Sequence, residues 1–130
     1  MVTRVTWEQL NKAGNNLLSP SSVSNGRVFT SGCLGTDAEG KMPESVAEQT
    51  KNAIESLGEV LKASGSSFDD VVKVLLFVGD ASYVSEVNQI YSKYFTLRPA
   101  RSCVVVGFPN PHVKVEIECV AEVSSLAAKL

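Results

Sequence analysis

The chain has 130 residues, 44% hydrophobic and 20% charged, the size and balance of one globular domain, residues 1–130, with a single core. A formal net charge of −2 and a single histidine, His112, argue against a nucleic-acid surface built on a dense basic field. Cys33, Cys103 and Cys119 are odd in number and lack C-x-x-C spacing, so neither a disulfide framework nor a metal site is expected, and a reducing compartment is.

Val2 to Trp7 alternates as a strand does, and after a polar connection through Asn11, Gly14, Asn15 and Asn16 a second strand is predicted from near Ser22. Asn25-Gly26 signals a hairpin, and the run Arg27 to Gly35 reads as one buried strand in which Gly32 and Gly35 mark the approach of a ligand or another chain. A polar loop spans residues 36–43. From Ser45 onward, Val46, Thr50, Ala53, Ile54, Leu57, Val60 and Leu61 recur at helical spacing, which predicts an amphipathic helix capped by Gly65. Val71 to Val78 is a nearly continuous apolar run of the kind found inside a covered sheet, with Lys73 at its wet end. Gly79-Asp80-Ala81-Ser82 supplies a turn and a cap for a second helix, whose stripe of Tyr83, Val84, Val87, Ile90, Tyr91 and Tyr94 reads as core.

The last third holds two apolar strands, Ala100 to Val106 and Val113 to Val120, each with a charge that a core does not welcome: Arg101 in the first and Glu116 in the second. They are expected to face a common pocket and act on a small carboxylate-bearing substrate. The order β-β-α-β-α-β-β describes an α+β layer, a mixed sheet with two helices on one face, and the other face also reads as apolar, so a second subunit is expected to cover it. No apolar run approaches the ~18 residues of a membrane span, and Met1 to Trp7 lacks a signal-peptide core, so a soluble intracellular protein is expected. Ala128-Lys129-Leu130 resembles a small-basic-Leu peroxisomal address; the expected compartment is cytoplasmic, or peroxisomal if the source is a eukaryote.

Thr30-Ser31-Gly32, Val87-Asn88-Gln89-Ile90-Tyr91 with Tyr94-Phe95, Pro99-Ala100-Arg101-Ser102-Cys103 and Val113-Lys114-Val115-Glu116-Ile117-Glu118 together resemble the reactive intermediate deaminases, the Rid, YjgF or L-PSP endoribonuclease family. The resemblance implies a chorismate-mutase-like fold assembled as a homotrimer, with pockets between subunits and no metal or organic cofactor. It implies hydrolysis of 2-imino acids or enamines, of the 2-iminobutanoate and 2-iminopropanoate type, to 2-keto acids and ammonia. Arg101 would then pair with the substrate carboxylate and Glu116 position the attacking water, with Glu118 as the runner-up base. Cys103 would contribute backbone groups, while Ser31, Gly32 and Asn88 match other pocket positions.

The chain departs from the common pattern where many members carry a pocket tyrosine, because ungapped alignment back from Ser31 places Leu17-Leu18 there. Leu18 cannot donate a hydrogen bond, so a more apolar pocket is expected. Val105, two residues past Cys103, replaces a frequent glutamate. The alternative is a trimer that binds 2-keto acids and regulates a partner without turnover. An endoribonuclease ranks last, since the chain has no histidine pair and no basic groove.

Overall fold

Asn25 and Gly26 take left-handed backbone angles, φ 51° and 74°, the pair a two-residue hairpin turn requires. They close β2 (Ser21–Ser24) on β3 (Arg27–Thr30), and β1 (Thr3–Val5) adds to the outer edge of β2. The computed structural model describes residues 1–124; Ala128-Lys129-Leu130 lies outside the described residues. β4 (Cys33–Leu34), α1 (Val46–Ala63), β5 (Val71–Val78), α2 (Val84–Tyr94), β6 (Ala100–Val105) and β7 (Val115–Glu122) follow. The strand order is β1-β2-β3-β7-β5-β6, with β4 also on β7. Among the described residues β5 and β6 run parallel and the other pairs antiparallel.

The run predicted as one strand from Arg27 to Gly35 is interrupted. Four residues lead from Phe29 to Cys33 where the partner strand needs only three from Val120 to Ile117, so β3 and β4 are separated by a bulge at Thr30–Gly32. Ser31 leaves the ladder because its N–H donates to the Pro20 carbonyl at 2.9 Å and its hydroxyl to the Ser19 carbonyl at 2.6 Å.

The Ser45 hydroxyl caps α1 by accepting from the Glu48 N–H, and Gly65, at φ 80°, ends its last turn. Asp80 supplies the cap ahead of α2, through a short 3-10 turn at Ala81–Tyr83; Ser82 donates to it instead of capping the helix itself. Ile54, Leu57 and Leu61 of α1 and Val87 of α2 are buried against Val74, Leu76 and Val78 of β5 and Val115, Ile117 and Cys119 of β7, which forms the core. Among the described residues the opposite sheet face carries no helix, and Phe29, Leu34 and Val104 stand on it 48, 37 and 40% exposed. Lys73 is on that face too, donating to the Ser102 hydroxyl at 3.0 Å. No helix among the described residues is long and apolar enough to cross a membrane.

Gly35 is buried because a β-carbon there would overlap the Gln49 backbone of α1, whereas one at Gly26 meets nothing. Gly35→Ala should therefore cost at least about 1–3 kcal/mol by overpacking. Gly26→Ala should cost only ~1 kcal/mol, from its left-handed backbone. Urea unfolding midpoints of the two variants would rank them.

Candidate active site

Arg101 lies on edge strand β6 beside Val74, itself opposite Cys119, so its side chain points to the helix-covered face. There its Nη1 donates to Asn88 Oδ1 at 2.9 Å, and its guanidinium carbon sits 4.7 Å from the Tyr91 ring centroid. Asn88 and Tyr91 are three residues apart on α2 and hence on one face of it. Behind Tyr91 the column continues: Phe95 stacks on it at 4.3 Å and 20°, and Phe68 meets Phe95 edge-on at 5.2 Å. The half-buried guanidinium thus has a fixed plane and one occupied edge. Among the described residues the ion pair is Lys12–Glu59, so Arg101 faces no carboxylate.

Cys103 follows two residues on, on the same face. The Val106 N–H donates inward to the Val78 carbonyl, so by strand alternation the backbone groups of Arg101 and Cys103 point to the free edge of the sheet. Tyr91 Oη is buried and makes no well-formed hydrogen bond among the described residues, although the Arg101 guanidinium lies close enough to act on it. Burial pushes this phenol above its ordinary value, against the opposing pull of Arg101.

Glu116 is the second residue of β7, opposite Phe77 and Leu34, on the face away from α1 and α2. Its carboxylate lies directly over Gly32, where any β-carbon would collide with it. Burial raises its carboxyl above the ordinary value, and the like charge of Glu118 adds to the effect. Ser31 and Gly32 border a cavity of about 260 Å³ with Trp7, Lys12 and Cys33. Leu18, 47% exposed, borders a neighbouring one of about 480 Å³, and its carbonyl accepts from the Trp7 indole N–H at 3.0 Å.

The expected residues therefore form two groups. Arg101, Asn88 and Cys103 gather on the helix face at the β6 edge, and Glu116 lies over Gly32 on the open side of β7, next to the Ser31 bulge, which itself borders a cavity walled by Ser56 and Val60 of α1. Within one chain Arg101 and Glu116 do not share a pocket, because their strand registers place them on opposite faces of the sheet. Gly32 and Gly35 make room for this chain's own Glu116 and α1, a nearer cause than the ligand or second chain expected from the sequence. Tyr91, read from the sequence as core alone, is also the bed of Arg101; the signal was its spacing of three from Asn88. Burial pushes the Cys33 and Cys119 thiols to about 12, which keeps them un-ionised and poor nucleophiles. Among the described residues no group of three or more His, Cys, Asp and Glu side chains could hold a metal ion. What remains is an unpaired cation, a carboxylate drawn toward its neutral form, and free backbone donors.

Residues 12–123 match the family model for endoribonuclease L-PSP. The chain is similar to Reactive Intermediate Deaminase A, chloroplastic, of Arabidopsis thaliana, 44% identical over 79% of this chain and 57% of that protein's length. It is 40% identical to the 2-iminobutanoate/2-iminopropanoate deaminase of Bos taurus, over 72% of this chain and 71% of the relative. The crystal structure of E. coli TdcF with bound serine superposes with a TM-score of 0.84 at 27% identity, covering 94% of this chain and all of that one.

A carboxyl whose folded pKa is raised binds its proton more tightly in the native state, so stability declines as pH climbs from the ordinary glutamate value of 4.5 through the raised one. Glu116→Gln should lack that decline, its advantage over wild type in urea unfolding growing across the window and then levelling. Tyr91→Phe removes an orphaned buried hydroxyl and should raise stability by about 1 kcal/mol by the same measurement at pH 7.

Proposed function

The chain belongs to the endoribonuclease L-PSP family, that of the reactive intermediate deaminases, and we propose that it hydrolyses reactive 2-imino acids, or their enamine tautomers, to 2-keto acids and ammonia. The observation that carries this reading is Arg101: a half-buried guanidinium held in plane by Asn88 and Tyr91, with no carboxylate of its own among the described residues. A planar fork that cannot lose its charge is suited to a substrate carboxylate. In this reading the anchored imine is already electrophilic at carbon. Glu116 orients a water and takes one of its protons as the C–O bond forms and the C=N electron pair moves to nitrogen, then passes that proton to the nitrogen to give the carbinolamine. Glu116 next takes the hydroxyl proton as the C=O forms and the C–N bond breaks, and delivers it to the departing nitrogen, which leaves as ammonia. Its raised affinity for a proton suits this exchange.

The two groups need a second chain to meet. The exposed Phe29, Leu34 and Val104 of the open face, which stand there among Glu116 and Lys73, and the unpaired edge of β6 support a homotrimer of the chorismate-mutase-like kind in which the Arg101 edge of one copy closes on the Glu116 side of the next. Serine, the ligand of TdcF, carries the carboxylate this arginine would hold. A ribonuclease draws less support, since His112 has no histidine partner for acid–base work.

An amino-acid oxidase can generate the imine in the assay itself, with 2-keto acid release followed on adding the protein. Wild type should accelerate release, and Arg101→Ala should lower kcat/KM about a hundredfold, the scale of one lost charge-assisted pairing. Full acceleration by Arg101→Ala would overturn the reading. Bound 2-ketobutyrate without turnover would support the receptor alternative, which the loss of a hydroxyl at Leu18 favours.

A further inference from the structure

A fully buried glutamine sits in the first turn of α1, on the face the sequence marks as apolar. Gln49 is 0% exposed, and each of its polar atoms is engaged. Nε2 donates to the Pro43 carbonyl at 2.7 Å and to the His112 carbonyl at 2.9 Å, while Oε1 accepts from the Lys114 N–H at 2.8 Å. One side chain thereby ties together the loop before α1, the loop before β7 and the helix itself. A leucine would fill this volume without stranding three backbone groups only if the loops lay elsewhere, so the amide is present for what it holds.

What it holds is the root of β7. Lys114 is two residues ahead of Glu116, so the Gln49 bond sets the height at which that strand enters the sheet. A second strut reaches Glu116 from the other side. Asn52, one turn along α1, donates to the Gly35 carbonyl at 3.1 Å, and Gly35 lies flat on the Gln49 backbone. Gly35 follows Leu34, the residue paired with Glu116, and Gly32 of the same segment lies beneath the carboxylate. Both walls of the Glu116 seat thus hang from one turn of α1.

We infer that Gln49, seconded by Asn52, is a positioning residue for Glu116, setting the carboxylate's place over Gly32 from the opposite face of the sheet. The inference rests on the reading that Glu116 serves the reaction. It separates the Glu116 group from the Arg101 group, whose supports, Asn88 and Tyr91, belong to α2. Loosening the clamp should therefore impair the step that needs the water and spare the hold on the carboxylate.

The test uses Gln49→Leu and, as the milder variant that leaves the core filled, Asn52→Ala. Three readings are taken on the folded protein below its unfolding transition: kcat with in-situ imines, inhibition by 2-ketobutyrate, and the titration of the Glu116 carboxyl by carbon NMR, assigned with Glu116→Gln. The groups around that carboxyl are Glu118 on its own strand, Phe77 on β5, and Gly32, Leu34 and the un-ionised Cys33 thiol at β4, so freeing it into water should return its titration toward the ordinary glutamate value. Expected for Gln49→Leu are a kcat lowered about tenfold or more, keto-acid inhibition changed less than about twofold, and the shifted titration, with Asn52→Ala moving each reading the same way by less. An unmoved Glu116 titration in both variants would overturn the inference, as would a loss of keto-acid binding in parallel with kcat. Should wild type show no turnover, the deaminase reading fails, and the carbon titration alone still decides whether Gln49 seats Glu116.

Discussion

Side chains of a strand alternate between the two faces of its sheet, and the pairing of β7 with β5 therefore settles where each charge of the last third can point. Cys119 is opposite Val74 and Val74 beside Arg101, while Phe77 lies between Glu116 and Val104. One register thus assigns the cation to the helix face and the carboxylate to the open face. A slip of one residue would bury Glu116 and Glu118 against the helices and turn Ile117 and Cys119 outward, a cost no local contact could offset. The core and the separation of the two charged groups are the same fact seen from two sides.

Each group is then furnished by the elements on its own face. Arg101 gains a ring, an amide and the end of an aromatic column, all of which orient it without neutralising it, and its position on an edge strand leaves the neighbouring backbone groups free. Glu116 gains close walls and little else: a glycine below, Phe77 and Leu34 beside it, and a like charge two residues away. The bulge at Thr30–Gly32 makes that seat possible. By inserting one residue it brings Gly32 under the carboxylate and lets Cys33 rejoin the core face.

Much of this was legible in the chain. The spacing of Val46 to Leu61, the Asn25-Gly26 turn, the cap at Gly65 and the apolar run Val71 to Val78 report local preferences that the tertiary structure has no reason to overrule. The odd placement of Arg101 and Glu116 was equally visible, since a charge amid β-branched residues stands out against any periodicity. The break in Arg27–Gly35 was not, because a bulge depends on hydrogen bonds from Ser31 to Ser19 and Pro20, more than ten residues earlier. Gln49 was passed over for a related reason: a polar residue on an apolar helix face declares its role only through the loops it meets.

Composition, turn chemistry and periodicity by themselves determined the class of fold, the number of helices and the two charges worth attention, for these depend on neighbours within a few positions. Tertiary structure alone decided that Arg101 and Glu116 look in opposite directions, that Tyr91 is a bed as well as core, and that one buried amide ties the root of β7 to α1. Those outcomes rest on strand register and on contacts between residues as far apart as Gln49 and Lys114, and no local pattern encodes which distant backbone group will arrive at a given side chain.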